Sequence, residues 1–165
     1  MTEPPPGDKP DRRHPHRLPH EMYQHPLQPV SLTVRSKWKG SLAQPGVAAA
    51  IISAMGRMGV SYGVRIHAYC IMPDHLHAVV SVVESGGHLE KWLRYFKREA
   101  ARAAGISGSW QRSYWDRHVR EREDLGELVQ YVIANPVRRD LCEHWPEWPY
   151  SWAEKEDESR GPAPA

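Results

Sequence analysis

Two histidines one residue apart, His75 and His77, and a tyrosine followed four positions later by an asparagine, Tyr131 and Asn135, have the types and spacing for chemistry. Along a strand, alternate side chains share a face. His75 and His77 therefore stand together while Leu76 and Ala78 turn away, and two imidazoles on one rigid strand can share a cation. On a helix, residues four apart lie about 40° apart around the axis, so Tyr131 and Asn135 stack on one side. A tyrosine hydroxyl is a nucleophile for a phosphodiester. A free phenol titrates near about 10, so attack at neutral pH needs a cation or base to help it lose its proton. Two imidazoles and the amide oxygen of Asn135 make a mixed nitrogen and oxygen shell for a divalent ion, magnesium or manganese, with positions left open for phosphate. Each piece also has a plainer reading: a polar sheet face for the histidines, an amphipathic helix edge for Tyr131, and a helix C-cap ahead of Pro136 for Asn135.

The elements that must position these groups follow from periodicity. Val30, Leu32 and Val34 alternate with polar residues as a first strand, and Pro45 opens a helix whose apolar face is Val47, Ile51, Ile52, Met55 and Met58. Residues 64 to 72 alternate Val64, Ile66, Ala68, Cys70 and Met72 against Arg65, His67 and Tyr69. Pro73 and Asp74 turn the chain into a strand carrying His75 and His77. Leu89, Leu93, Phe96 and Ala100 recur at helical spacing through 88 to 104, and Trp110 to Val119 reads as a fourth strand. Leu125, Leu128, Val129, Val132 and Ile133 define a last helix that Pro136 is expected to end. The order β-α-β-β-α-β-α predicts an α+β fold, a ferredoxin-like antiparallel sheet with helices packed against it.

Residues 1 to 29 hold eight of the fifteen prolines and four of the ten histidines, a composition expected to form a disordered arm. A single domain is expected over 30–152, with a polar tail over 153–165. The formal charge of +2 does not announce a nucleic-acid partner by itself. Cys70 and Cys142 lie far apart, which gives neither a disulfide framework nor a zinc knuckle. No run approaches the roughly 18 apolar residues of a membrane span, and no apolar leader is present, so a cytoplasmic protein without a membrane partner is expected.

The run Tyr69-Cys70-Ile71-Met72-Pro73-Asp74-His75-Leu76-His77 resembles the HUH strand of the small single-tyrosine transposases, specifically their REP-associated tyrosine transposase branch. Trp110 to Arg117, followed by Tyr131-Val132-Ile133-Ala134-Asn135-Pro136-Val137-Arg138, is similar to the block that carries that family's nucleophile. The resemblance covers roughly residues 30 to 152. It implies that Tyr131 forms a covalent 5′-phosphotyrosine with single-stranded DNA at a hairpin or repeat, releases a 3′-hydroxyl and consumes no nucleotide cofactor. The protein would then be nucleoid-associated when bound to DNA. Dimerisation, frequent in the family, is expected on the resemblance alone. The first strand lacks the family's usual histidine, and the proline-rich arm has no counterpart.

Candidate DNA contacts are Lys91, Arg94, Arg98 and Arg102, a basic ridge on the second helix, and Arg112 and Arg117 beside Tyr114 and Trp115. Arg138, with Arg139, lies close in sequence to the nucleophile. The ridge reads equally as a solvated face that Glu90 and Glu99 partly neutralise, and Trp110 and Trp115 as core. Two rival functions remain: a metal hydrolase in which Tyr131 is structural, and a non-catalytic single-stranded nucleic-acid-binding module. Asp74 reads as a turn residue or as an acceptor for an imidazole N–H.

Overall fold

The computed structural model describes residues 28–83, 86–112, 114–118 and 125–155. Most of the expected arm and tail lies outside these residues. Strand β1 (Val30–Arg35) leads to helix α1 (Pro45–Tyr62), the hairpin β2 (Val64–Ile71) and β3 (His75–Val82), helix α2 (Leu89–Ala103) and strand β4 (Trp115–His118). Helix α3 (Leu125–Ile133), a short helix α4 (Asn135–Arg138) and strand β5 (Ser151–Ala153) complete it. All pairings are antiparallel and the strand order is β4-β1-β3-β2-β5, a ferredoxin-like sheet extended at one edge by β5.

Helix α1 starts where Pro45, which has no N–H to lose, occupies the first turn. It stops at Gly63, whose φ of 63° lets its N–H turn back to the Gly59 carbonyl. Helices α1 and α2 pack together on one side of the sheet. Val30, Leu32 and Val34 of β1 and Leu76, Ala78, Val80 and Val82 of β3 meet Ile51, Met55, Trp92 and Phe96 there, all buried. The Trp92 indole N–H donates to the Met55 carbonyl at 3.2 Å, so the largest side chain in that layer is also satisfied. On the other side, Leu128, Val132 and Ile133 of α3 cover Ala68, Cys70, Met72 and Val79. Helix α3 touches β2, β3 and β5, so it roofs only that half of the sheet.

Three features depart from the periodicity. The alternation expected through 64 to 72 reverses at a β-bulge between Ile66 and Ala68: Val64 and Ile66 face α1 and α2, whereas Ala68 and Cys70 face α3. The bulge turns His67 inward, where its Nε2 lies 2.8 Å from Ser81 Oγ and its Nδ1 3.4 Å from Glu154. Arg65 reaches the same carboxylate at 2.6 Å. These bonds hold β5 and the residue after it against β2, so the ordered domain runs past residue 152. The fourth strand is shorter than expected, a Ser36 to Trp110 bridge standing apart from it. Helix α3 stops at Ile133, ahead of Pro136 as expected, but a further helix follows at once, and Pro136 sits in the first turn of α4. Among the described residues no helix is long and apolar enough to cross a membrane.

Gly59 marks the closest approach of α1 to β2, since a Cβ there would lie 2.8 Å from the Val64 carbonyl oxygen, while one at Gly56 would meet nothing within 4 Å. Gly56→Ala should therefore stabilise the fold by about 0.5–1 kcal/mol through helix propensity. Gly59→Ala should destabilise it by about 1–3 kcal/mol through overpacking. Urea unfolding of the two variants checks the opposite signs.

Candidate functional site

The register of β3 against β1 pairs Thr33 with His77 and Arg35 with His75, all four directed to the side away from α1 and α2. The two imidazoles meet edge to face, with ring centroids 4.7 Å apart and Nε2 atoms 3.0 Å apart. Each outer nitrogen has its own partner: His75 Nδ1 lies 2.5 Å from Asp74 Oδ1, and His77 Nδ1 lies 3.0 Å from Thr33 Oγ1. The Asp74 carboxylate only accepts, so His75 donates through Nδ1 and its Nε2 accepts the His77 Nε2–H. Nδ1 of His77 then accepts a hydrogen bond from the Thr33 hydroxyl. Burial lowers the affinity of both rings for a second proton. For His77 the charges of His75, Arg138, Arg35 and Arg139 act in the same direction, and its pKa falls to about 3. For His75, Asp74 partly offsets the burial. Asp74 is itself held below the usual carboxylate range by its bond to His75, against the burial that pushes it up.

Neutral His75, its outer N–H held by the Asp74 carboxylate and its Nε2 unprotonated, has the state that metal-ligating histidines take, whereas His77 carries its proton on Nε2 here. Their two Nε2 atoms converge. Among the described residues no group of three or more His, Cys, Asp and Glu side chains gathers around a metal-sized space. A cation here would therefore need oxygen from an amide, water or phosphate to complete its shell.

The nucleophile candidate sits where α3 meets α4. Pro136 cannot donate to the Val132 carbonyl, and the Asn135 amide supplies the missing donor: Nδ2 lies 3.1 Å from Val132 O and 3.1 Å from Tyr131 O. The C-cap alternative for Asn135 is thus realised in the structure. It occupies the amide nitrogen and leaves Oδ1 as the atom for a cation. Arg138 returns from α4 and donates to the Tyr131 carbonyl at 2.6 Å, with its guanidinium carbon 4.0 Å from the centroid of the Tyr131 ring. Tyr131 is half exposed, while Asn135 is buried.

The basic residues divide into three groups. Arg35, Arg138 and Arg139 act on the histidine pair, as their effect on His77 shows. Arg112 is exposed beside the end of β1, since its neighbour Gln111 donates to the Arg35 carbonyl at 2.9 Å. The backbone at Arg117 pairs with Ser31, and its side chain lies outside the described residues. Lys91, Arg94, Arg98 and Arg102 form an exposed ridge, but α2 lies in the layer on the opposite side of the sheet from His75 and His77. Arg98 and Arg102 pair with Glu99, and Arg94 and Arg98 lie over the Tyr95 ring. The structure therefore sets Arg138 on Tyr131 and holds the α2 ridge on the side of the sheet away from the histidines. Trp110 is core, packed on Phe96. Sequence reasoning missed Thr33 and Arg35, which only strand register reveals. It left Asp74 between a turn residue and an acceptor for an imidazole N–H, and the structure shows the acceptor, on His75 Nδ1.

No family model matches the chain. It is 27% identical to a REP-associated tyrosine transposase of Escherichia coli K12, over 53% of this chain and 53% of that one. It is 30% identical to a putative REP-associated tyrosine transposase of Haemophilus influenzae, over 51% of this chain and 56% of that one. The chain spans about half the length of the curated relatives it matches. A solved structure of a REP-associated tyrosine transposase bound to a REP hairpin superposes with a TM-score of 0.69 over 82% of each chain. At 21% identity that likeness shows the fold.

Burial also depresses the pKa of His67, so three histidines bind protons less readily in the folded chain than in the unfolded one, where they titrate near about 6.5. Their contribution to stability is fully present above that value. It is lost as pH falls toward the folded values, the lowest being His77's, about 3. The melting temperature should drop between pH 7 and pH 5, above the range where carboxylates titrate, and drop less in His77→Gln. Circular dichroism melts across that range test it, and a flat profile would contradict the burial argument.

Proposed function

We propose, on the premise that this chain is a homologue of the REP-associated tyrosine transposases, that it cuts and rejoins single-stranded DNA at hairpin-bearing repeats through Tyr131. The observation that carries this reading is the place of Arg138, whose cation lies on the Tyr131 ring and within electrostatic reach of His77. These two observations support reading Tyr131 and the histidine pair as parts of one site.

The Tyr131 phenol oxygen forms a bond to the phosphorus of the scissile phosphodiester and gives up its proton to solvent. The P–O3′ bond breaks, the electron pair leaves with O3′, and that oxygen picks up a proton to become a free 3′-hydroxyl. One phosphodiester has been exchanged for another, so a 3′-hydroxyl from the same or a different strand can reverse the step without a nucleotide cofactor. His75 and His77 through Nε2, with Asn135 through Oδ1, would hold a divalent ion, magnesium or manganese, whose charge would offset that developing on the non-bridging phosphate oxygens. For His77 to offer Nε2, its proton must move to Nδ1 and be donated to Thr33 Oγ1, a tautomer change that the hydroxyl accommodates by accepting instead of donating. Asp74 keeps the His75 proton on Nδ1 throughout. Arg112 and Arg117, near the β1–β4 edge, are the contacts proposed for the DNA backbone, and the reaction takes place in the cytoplasm on nucleoid DNA.

Labelled single-stranded hairpin oligonucleotides incubated with magnesium or manganese should give a covalent adduct on a denaturing gel. The adduct should vanish in Tyr131→Phe and fall by at least about 100-fold in His77→Ala. Metal-dependent nicking that survives Tyr131→Phe would favour a water-activating hydrolase. Binding without cleavage would favour a non-catalytic single-strand module.

A further inference from the structure

We infer that Arg138 is a positioning residue for Tyr131, clamping the tyrosine at its backbone and its ring together, rather than only a contact for DNA phosphate. The inference rests on the reading of Tyr131 as nucleophile. A half-exposed tyrosine in the last turn of a helix has little to fix it: its ring is free to change rotamer and the turn that carries it is free to fray. Here the fraying is opposed by two donors to one carbonyl, Asn135 Nδ2 at 3.1 Å and Arg138 Nη2 at 2.6 Å. The same guanidinium covers the ring at 4.0 Å. One planar group therefore restrains the backbone position and the side-chain orientation of a single residue.

The clamp depends on the Ala134 corner between α3 and α4. Its φ of −80° and ψ of −6° let the chain continue directly from one helix into the other, and place Arg138 one turn further on, facing back. Only arginine suits the task. A lysine ammonium could donate to the carbonyl or approach the ring, but it lacks the flat fork that does both. The charge of Arg138 also disfavours a second proton on His77. The contacts of Arg138, on the Tyr131 carbonyl and ring, make it act through Tyr131.

Single-turnover adduct formation, measured against DNA concentration for wild type, Arg138→Lys and Arg138→Ala, separates positioning from phosphate contact. Displacement of a reacting group by around an ångström costs on the order of 100-fold, so the rate at saturating DNA should fall about 10-fold to 100-fold in both variants. The half-saturating DNA concentration should change little. Weaker DNA binding with an unchanged saturating rate, or full rescue by lysine, would make Arg138 a phosphate contact and overturn the inference. A readout free of catalysis is the Arg138 Nε–H resonance without DNA, which the Tyr131 ring should shift upfield in wild type and release in Tyr131→Leu. A resonance at its ordinary position in wild type overturns the clamp outright. A wild type that forms no adduct on any substrate overturns the nucleophile reading, and with it the catalytic purpose of the clamp, even where the shifted resonance shows the clamp itself.

Discussion

The register of β3 between β1 and β2 decides where the two imidazoles stand. Side chains alternate with period two, so a slip of one residue would drive His75 and His77 into the layer of Trp92 and Phe96, and bring Leu76 and Ala78 out in their place. Buried Leu76, Ala78, Val80 and Val82 make that slip costly, and the backbone bonds from Ser36 and Leu42 to Asp74 and Pro73 fix the turn from which β3 starts. Apolar packing on one side of the strand thus holds two imidazoles on the other. It also sets Thr33 opposite His77, which gives the second outer nitrogen its partner.

A second constraint follows from one missing hydrogen. Pro136 deprives the Val132 carbonyl of its helix donor, and the local solution recruits both Asn135 and Arg138 to the end of α3. Asn135 is therefore a cap that uses its amide nitrogen, so its structural duty and its proposed duty toward a cation use different ends of one amide. The two readings that the spacing of Tyr131 and Asn135 leaves open are compatible.

Much of this was legible in the sequence because the domain is built from amphipathic elements. The apolar stripes of α1, α2 and α3 and the alternation of β1 and β3 locate five elements, and the HxH spacing locates the imidazoles. What stayed hidden has physical causes. β5 is three residues long and owes its place to Glu154 meeting Arg65 and His67, a contact across almost 90 positions that no local pattern encodes. The bulge at His67 is invisible because either face would accept Ala68. The short helix α4 was masked because proline ends a helix or begins one according to where the preceding turn stops. The basic ridge of α2 was readable as a ridge, but its layer was not, since the side of the sheet a helix takes is a property of the topology.

The central claim is that Tyr131 is the residue that becomes joined to DNA, and mapping the linkage by mass spectrometry tests it most directly. Trypsin releases residues 123 to 138 as one peptide, in which Tyr131 is the single tyrosine and which holds no serine or threonine. After nuclease trimming of the adduct, a nucleotide remnant on this peptide, fragmenting to Tyr131, is the result the account predicts. A remnant on a peptide carrying any other tyrosine, Tyr114 included, would contradict it.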